Sequence, residues 1–339
     1  MLTPTPQKAT VCVHFVRNGP AYLPELDAYV AFITSHGHQA LVHEDSTSVP
    51  SNAQVVWWMC GRVSSTQARR LKNAFHIHEY ASASVPPHAR LKDWVKHWTQ
   101  PKPDYRIFQN GWVRDRMGFN DGVPHTLRDM GVAQAFFDAA APALPVASYE
   151  DDAPARIPPN TFDLVYLGEM TRLLPFLPLL QAIRAAGRSL LLIGEVPDAL
   201  REQLPASVTC TGRVPHADVP MQLRRARFGL NLVSNIAPYN QQTSTKLLEY
   251  CAVGLPVVSN DYAWVRYFAA HYQGNLHLLR DAPSTWPHSL GQALDAYPYL
   301  VPDVRALVWP QLLRALPLWK HLHIVPEVYA QAPTLGGVR

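Results

Sequence analysis

Apolar residues fall in short runs separated by polar, proline- and glycine-bearing breaks. Residues 10–16 (TVCVHFV), 39–44 (QALVHE), 54–59 (QVVWWM), 74–78 (AFHIH) and 105–109 (YRIFQ) are rich in β-branched and aromatic side chains and are predicted strands. Between the first two, apolar positions recur at helical spacing from about Pro24 to Ser35, and His36-Gly37-His38 supplies a left-handed glycine stop. The second half repeats this more regularly. Its predicted strands are FDLVYL from Phe162, SLLLI from Ser189, SVTCT from Ser207, FGLNLV from Phe228 and PVVS from Pro256. Helices are predicted near 175–186, 197–203, 217–226 and 244–253. Strands alternating with helices predict parallel sheets covered by helices.

Residues 141–160 (APALPVASYEDDAPARIPPN) hold five prolines and three consecutive acids, which disfavours regular structure. The predicted organisation is one domain over 1–145, a linker over 146–160, a second domain over 161–316, and a C-terminal helix and tail over 317–339. Ligands of doubly wound sheets bind outside the carboxyl ends of the strands, so two such domains imply a cleft between them.

Of 339 residues, 47% are apolar and 17% charged, enough to bury large cores and too few charges for a disordered chain. The net charge of +4 is too weak to indicate nucleic acid. It is unevenly spread: residues 61–116 carry 11 Lys/Arg against four Asp/Glu, a local balance of +7. Within that stretch RLKDWVKHW sets Trp94 and Trp98 four apart, beside Arg90, Lys92 and Lys96. Such a helix can lie at a membrane interface; the favoured expectation is that both indoles pack in the core beneath a solvated basic face. Cys12, Cys60, Cys210 and Cys251 form no CxxC pair and are expected to be buried free thiols, with no metal site. No signal sequence and no apolar stretch of membrane-spanning length is visible. The expected location is the cytoplasm, at most peripheral to the inner face of the membrane.

The chemistry concentrates in NIAPYNQQTSTKLLEYCAVGLPVVSN, residues 235–260. Thr243, Ser244 and Thr245 are expected to cap a helix, and Leu247, Leu248, Cys251 and Ala252 form its buried stripe. Gly254 ends it. Lys246 stands in the first turn, where the helix dipole disfavours a cation unless an anion is bound there. Glu249, three residues on, shares its face. A cation, helix amides and a carboxylate suit a nucleoside diphosphate, with phosphates for Lys246 and ribose hydroxyls for Glu249. On spacing alone, a solvated Lys–Glu pair fits equally well.

TSTKLLEYCAVGLPVVSN resembles the donor-binding segment of GT-B glycosyltransferases, in particular glycosyltransferase family 4. TGRVPHADVPMQLRRARFGLNLV is similar to the strand–turn–helix that precedes it in that family. LVYLGEMTRLLPFL and SHGHQALVHE resemble its first donor-domain strand and its first acceptor-domain helix end, and WKHLHIVPEVY resembles its terminal crossover helix. The resemblance implies an α/β GT-B fold of two Rossmann-like domains facing a cleft, the C-terminal helix crossing back to the N-terminal domain. It implies transfer of a sugar from a nucleotide-diphosphate sugar to a glycan or lipid-linked acceptor. It further implies a retaining outcome and no cofactor or catalytic metal.

On the same resemblance Lys246 stabilises the leaving diphosphate and Arg172 is the candidate second cation. Gln241 occupies the position eight before Glu249 where many members carry an acid, which removes any charge-based role there. His78, expected at the end of its strand, would contact the donor sugar or assist deprotonation of the acceptor. Gly19, after the first strand, would let backbone approach phosphate, a plain turn being the alternative. Ser244 and Thr245 complete the expected donor site. An inactive nucleotide-sugar-binding or partner-binding module, and a GT-B-like nucleotide-sugar epimerase, are the alternatives; a sugar phosphorylase would need a pyridoxal site that nothing here identifies. Neither GxGxxG nor GxxxxGK[ST] occurs.

Overall fold

A computed structural model describes residues 10–17, 19, 22–59, 63–140, 161–205, 207–280, 285–288, 290–291 and 294–324. The predicted linker over 146–160, Cys60 and the tail from 325 lie outside the described residues. The chain divides into two compact units, one taking in the chain up to Met130 and again from Trp309, the other running from Gly131 to Val308.

In the first unit six strands form a parallel sheet: β1 (Cys12–Arg17), β2 (Gln39–His43), β3 (Val55–Met59), β4 (Phe75–Tyr80), β5 (Tyr105–Phe108) and β6 (His125–Leu127). Their order is β2-β1-β3-β4-β5-β6. All five residues of VVWWM in β3 are buried, because helices cover both faces of a parallel sheet and leave no strand face wet. The helices are α1 (Pro24–Ser35), α2 (Ser65–Arg70), α3 (Ala89–Thr99) and α4 (Gly111–Met117). Proline begins α1, where its missing N–H costs nothing, and Gly37 follows its end at φ +79°.

Leu26, Tyr29 and Ile33 of α1 face the sheet. Tyr29 meets Trp57 with ring centroids 4.3 Å apart. Within this aromatic core lies a charged pair. Arg128 donates to Glu79 with both side chains almost fully buried, and Trp57 Nε1 donates to Glu79 Oε2 at 2.8 Å.

The expectation for Trp94 and Trp98 is corrected. They are 60% and 68% exposed, and the residues that face inward from α3 are Asp93 and His97. Asp93 accepts from Arg116 and from the Ser84 amide, so a polar face fixes the helix to its unit and the apolar face is left outside.

The second unit opens with α5 (Gln134–Ala140) and builds a second parallel sheet. Its strands are β7 (Phe162–Leu167), β8 (Leu190–Ile193), β9 (Val208–Cys210), β10 (Ala226–Asn231), β11 (Val257–Asn260) and β12 (His277–Leu279). They are ordered β12-β11-β10-β7-β8-β9, so the winding reverses between β7 and β10. The helices are α6 (Leu177–Ala185), α7 (Asp198–Arg201), α8 (Val219–Leu223), α9 (Thr245–Ala252), α10 (Ala263–His271), α11 (Trp286–His288) and α12 (Leu294–Ala296). α5 packs against α8 and α9. The chain then rejoins the first unit with α13 (Trp309–Arg314) and α14 (Leu318–Leu322). Trp319 of α14 stacks on Phe32 of α1 at 4.9 Å between centroids.

Each sheet gains one strand over expectation, β6 and β12. Both are three-residue edge strands, too short to show alternation. The thiols also differ from expectation. Among the described residues only Cys251 is fully buried; Cys12 and Cys210 are partly exposed near strand ends.

Candidate active site

α9 packs on β10 closely enough that its Tyr250 ring occupies the space a side chain at Gly229 would need. A Cβ there would lie 2.5 Å from the ring. Glycine at 229 thus brings the helix down onto the sheet. The Tyr250 hydroxyl then reaches across the reversal point, accepting from the Leu167 amide at 2.9 Å at the end of β7 and donating to the Leu230 carbonyl on β10. The first turn of α9 is thereby fixed over the carboxyl ends of the two central strands, the usual ligand position in such sheets.

Ser244 precedes that turn, but its expected capping role is corrected. The Ser244 side chain makes no capping bond to α9; its hydroxyl donates to Asn231 Oδ1 at 2.7 Å. Asn231 is fully buried and also donates to Ser259 and Tyr262, so it holds the hydroxyl away from the helix amides. Thr245 begins the helix, half-buried. Ser244 therefore leaves uncapped the helix amides that it was expected to cap.

Lys246 points into the reversal point. Its Nζ donates to the Leu232 carbonyl at 2.9 Å and to the Tyr166 hydroxyl at 3.2 Å, and lies 4.3 Å from the Tyr166 ring centroid. An ammonium has three donors, so one remains for a ligand. Burial, reinforced by the positive charge of Arg172 and opposed by Glu249, lowers the Lys246 pKa to about 7. Burial without a full counter-charge makes Lys246 a candidate anion-binding residue.

Glu249 is 7% exposed, so the two residues are not a solvated surface pair. Burial raises its pKa. His216, in the 3-10 turn before α8, donates from Nε2 to Glu249 Oε1 at 3.2 Å and favours the carboxylate. Phe136 of α5 lies beside the imidazole at 5.3 Å between centroids.

Arg172 is exposed in the 3-10 segment after β7, its guanidinium 5.3 Å from the Tyr239 ring. Gln241 ends the 3-10 turn that begins at Tyr239, and its side chain donates to Asn240 Oδ1 at 3.3 Å. The second unit thus carries Ser244, Thr245, Lys246 and Glu249 on one helix start, with Arg172 close enough to repel Lys246.

His78 and Gly19 belong to the first unit. The expected strand-end position of His78 is corrected: it sits inside β4, 2% exposed, between His76 and Tyr80. Burial, with the charges of His76 and Arg106, pushes its pKa down to about 3, so it is neutral and a weak base near pH 7. Gly19 is exposed at φ +93°, with open space where a side chain would stand. Sequence reasoning missed Tyr166, His216, Asn231 and Tyr239. His216 lay inside a quoted run, VPHADVP, yet nothing in its spacing tied it to Glu249. Among the described residues no three His, Cys, Asp or Glu side chains gather as a metal site.

Residues 161–295 match the family model described as glycosyl transferases group 1. No curated protein sequence matches the chain. Solved structures share the fold at low identity. A sucrose-phosphate synthase from Thermosynechococcus elongatus is 13% identical, over 92% of this chain and 99% of its own, with a TM-score of 0.58. AviGT4, a glycosyltransferase involved in avilamycin A biosynthesis, is 15% identical over 93% and 94%, with a TM-score of 0.54. The UDP-GlcNAc 2-epimerase of Methanocaldococcus jannaschii, in complex with UDP-GlcNAc and UDP, is 10% identical over 89% and 98%, with a TM-score of 0.53. The second unit thus matches the group 1 glycosyltransferase model over residues 161–295, and the chain shares the GT-B fold of these solved structures.

Proposed function

We propose that the chain transfers a glycosyl group from a nucleoside-diphosphate sugar to a glycan or lipid-linked acceptor, with retention and without a divalent metal. The observation that carries this reading is Lys246, whose Nζ, bonded to the Leu232 carbonyl and the Tyr166 hydroxyl, stands in the first turn of α9 at the β7/β10 reversal. A diphosphate there meets a cation and helix amides. As the glycosidic bond breaks, negative charge accumulates on the leaving phosphate, and Lys246 stabilises the transition state more than the bound donor. Arg172 adds a second positive charge from the segment after β7. Glu249, held by His216, accepts hydrogen bonds from ribose hydroxyls. Gln241 offers neutral hydrogen bonds to the sugar.

The test is turnover of radiolabelled UDP-, GDP-, TDP- and ADP-sugars by the full chain, with excess EDTA and then with added manganese. Release of free nucleoside diphosphate in EDTA is the expected result. Complete loss in EDTA with recovery in manganese overturns metal independence. An epimerase would alter the sugar while leaving the nucleotide attached, and an inactive binding module would bind a nucleotide without turnover.

A further inference from the structure

We propose that α3 docks the protein on an anionic lipid surface. Leu91, Trp94 and Trp98, three and four residues apart, form one stripe of the helix and are 58%, 60% and 68% exposed. The rings of Trp94 and Trp98 stand edge to face, centroids 6.5 Å apart, and Trp98 meets His97 of the same helix at 5.1 Å. Val85 extends the apolar surface from the preceding loop, and Lys92 Nζ donates to its carbonyl at 3.2 Å, tying loop to helix.

The arrangement is the inverse of an ordinary surface helix, whose apolar stripe faces the core. The one acid of α3, Asp93, is buried and paired with Arg116, so it does not offset the cations outside. Arg90 and Lys92 are exposed and Lys96 is half-buried, flanking the indole stripe. The solvent face of α3 therefore shows indoles and cations and no carboxylate. A second protein copy would bury this stripe without using its charge. A membrane uses both parts: indoles settle at the level of the headgroups, and Lys and Arg extend along them toward lipid phosphate.

The charge asymmetry selects anionic lipid. Three cations near such a surface strengthen binding on the order of a hundredfold over a neutral one. This inference does not rest on the donor-site reading, since α3 and α9 belong to different units.

The test is co-sedimentation of the full chain with vesicles of phosphatidylcholine alone and of phosphatidylcholine with phosphatidylglycerol. We expect binding to the mixed vesicles, at least tenfold weaker binding to the neutral ones, and weakening by salt. Trp94→Ser with Trp98→Ser should abolish binding while leaving the thermal melt unchanged, because both indoles are exposed. Arg90→Gln with Lys92→Gln should remove the preference for anionic lipid and spare the residual binding. Light scattering at the same concentrations monitors self-association. Failure to bind either vesicle overturns the proposal, and so does a dimer that the tryptophan substitutions dissolve.

Discussion

Lys246 Nζ donates to the carbonyl oxygen of Leu232 at 2.9 Å, the residue that follows β10. That carbonyl lies at the point where the winding of the second sheet reverses, so a helix residue and a strand end share one hydrogen bond at the expected ligand position.

Lys246→Ala and Glu249→Ala should differ in kind. Removing the ammonium takes away stabilisation of charge that grows during reaction, so kcat should fall with little change in KM. Removing the carboxylate takes away contacts to ribose hydroxyls, which change little, so KM should rise by the equivalent of about 1.5–3 kcal/mol with a smaller effect on kcat. Steady-state kinetics with a varied donor concentration separate the two. Wild-type values in both variants would remove the donor site from α9.

Binding of a nucleoside diphosphate should weaken as pH rises through about 7. Lys246 titrates near there in the free protein, and a bound diphosphate raises its pKa. Above pH 7 the ligand must first restore the proton, and affinity falls by at most about tenfold per pH unit. Calorimetry between pH 7.5 and 9, in buffers of different ionisation heat, should show proton uptake on binding. In Lys246→Met that uptake should vanish. The same shift has the opposite sign for the free fold: the unfolded chain binds the extra proton between pH 7 and Lys246's ordinary pKa, so this group's contribution to stability improves as pH rises across that window.

Gly229→Ala should couple stability to donor affinity. The added methyl meets the buried Tyr250 ring at 2.5 Å, and overpacking of this kind costs about 1–3 kcal/mol. Relief requires α9 to rise from β10, which displaces Lys246 and Glu249 together. Denaturant melts and nucleotide titrations should both worsen. A stability loss with unchanged nucleotide affinity would mean that the helix position does not set the site.

Glu79→Gln should destabilise the first unit by about 3–5 kcal/mol, because it takes from the buried charge of Arg128 the carboxylate it is bonded to. Adding Arg128→Met should restore most of the loss, although neither change touches the donor site. Urea unfolding of the single and double variants measures this.

Much of the architecture could be read from the sequence. Runs such as VVWWM and LLLI are apolar throughout because both faces of a parallel strand are covered. α1 was legible through Pro24 and Gly37, and α9 through its buried stripe and Gly254. What escaped were features that depend on distant segments meeting. The bond between His216 and Glu249 joins residues 33 apart, and Tyr166 lies 80 residues before the lysine it underlies. Ser244 looked like a cap because serine before a helix usually is one; Asn231 outcompetes the helix amides for its hydroxyl. Trp94 and Trp98 looked like core residues because tryptophan at helical spacing usually faces inward. The position of Asp93, paired with Arg116 from another helix, turned α3 the other way.

The return of α13 and α14 to the first unit sets an order for biosynthesis. Trp319 is buried against Tyr29, Phe32 and Trp57, residues translated more than 250 positions earlier. A chain growing from the ribosome has every strand of the second unit before it has the residues that close the core of the first. The segment made first is therefore completed last, and until residue 319 emerges its aromatic face is open to chaperones and proteases.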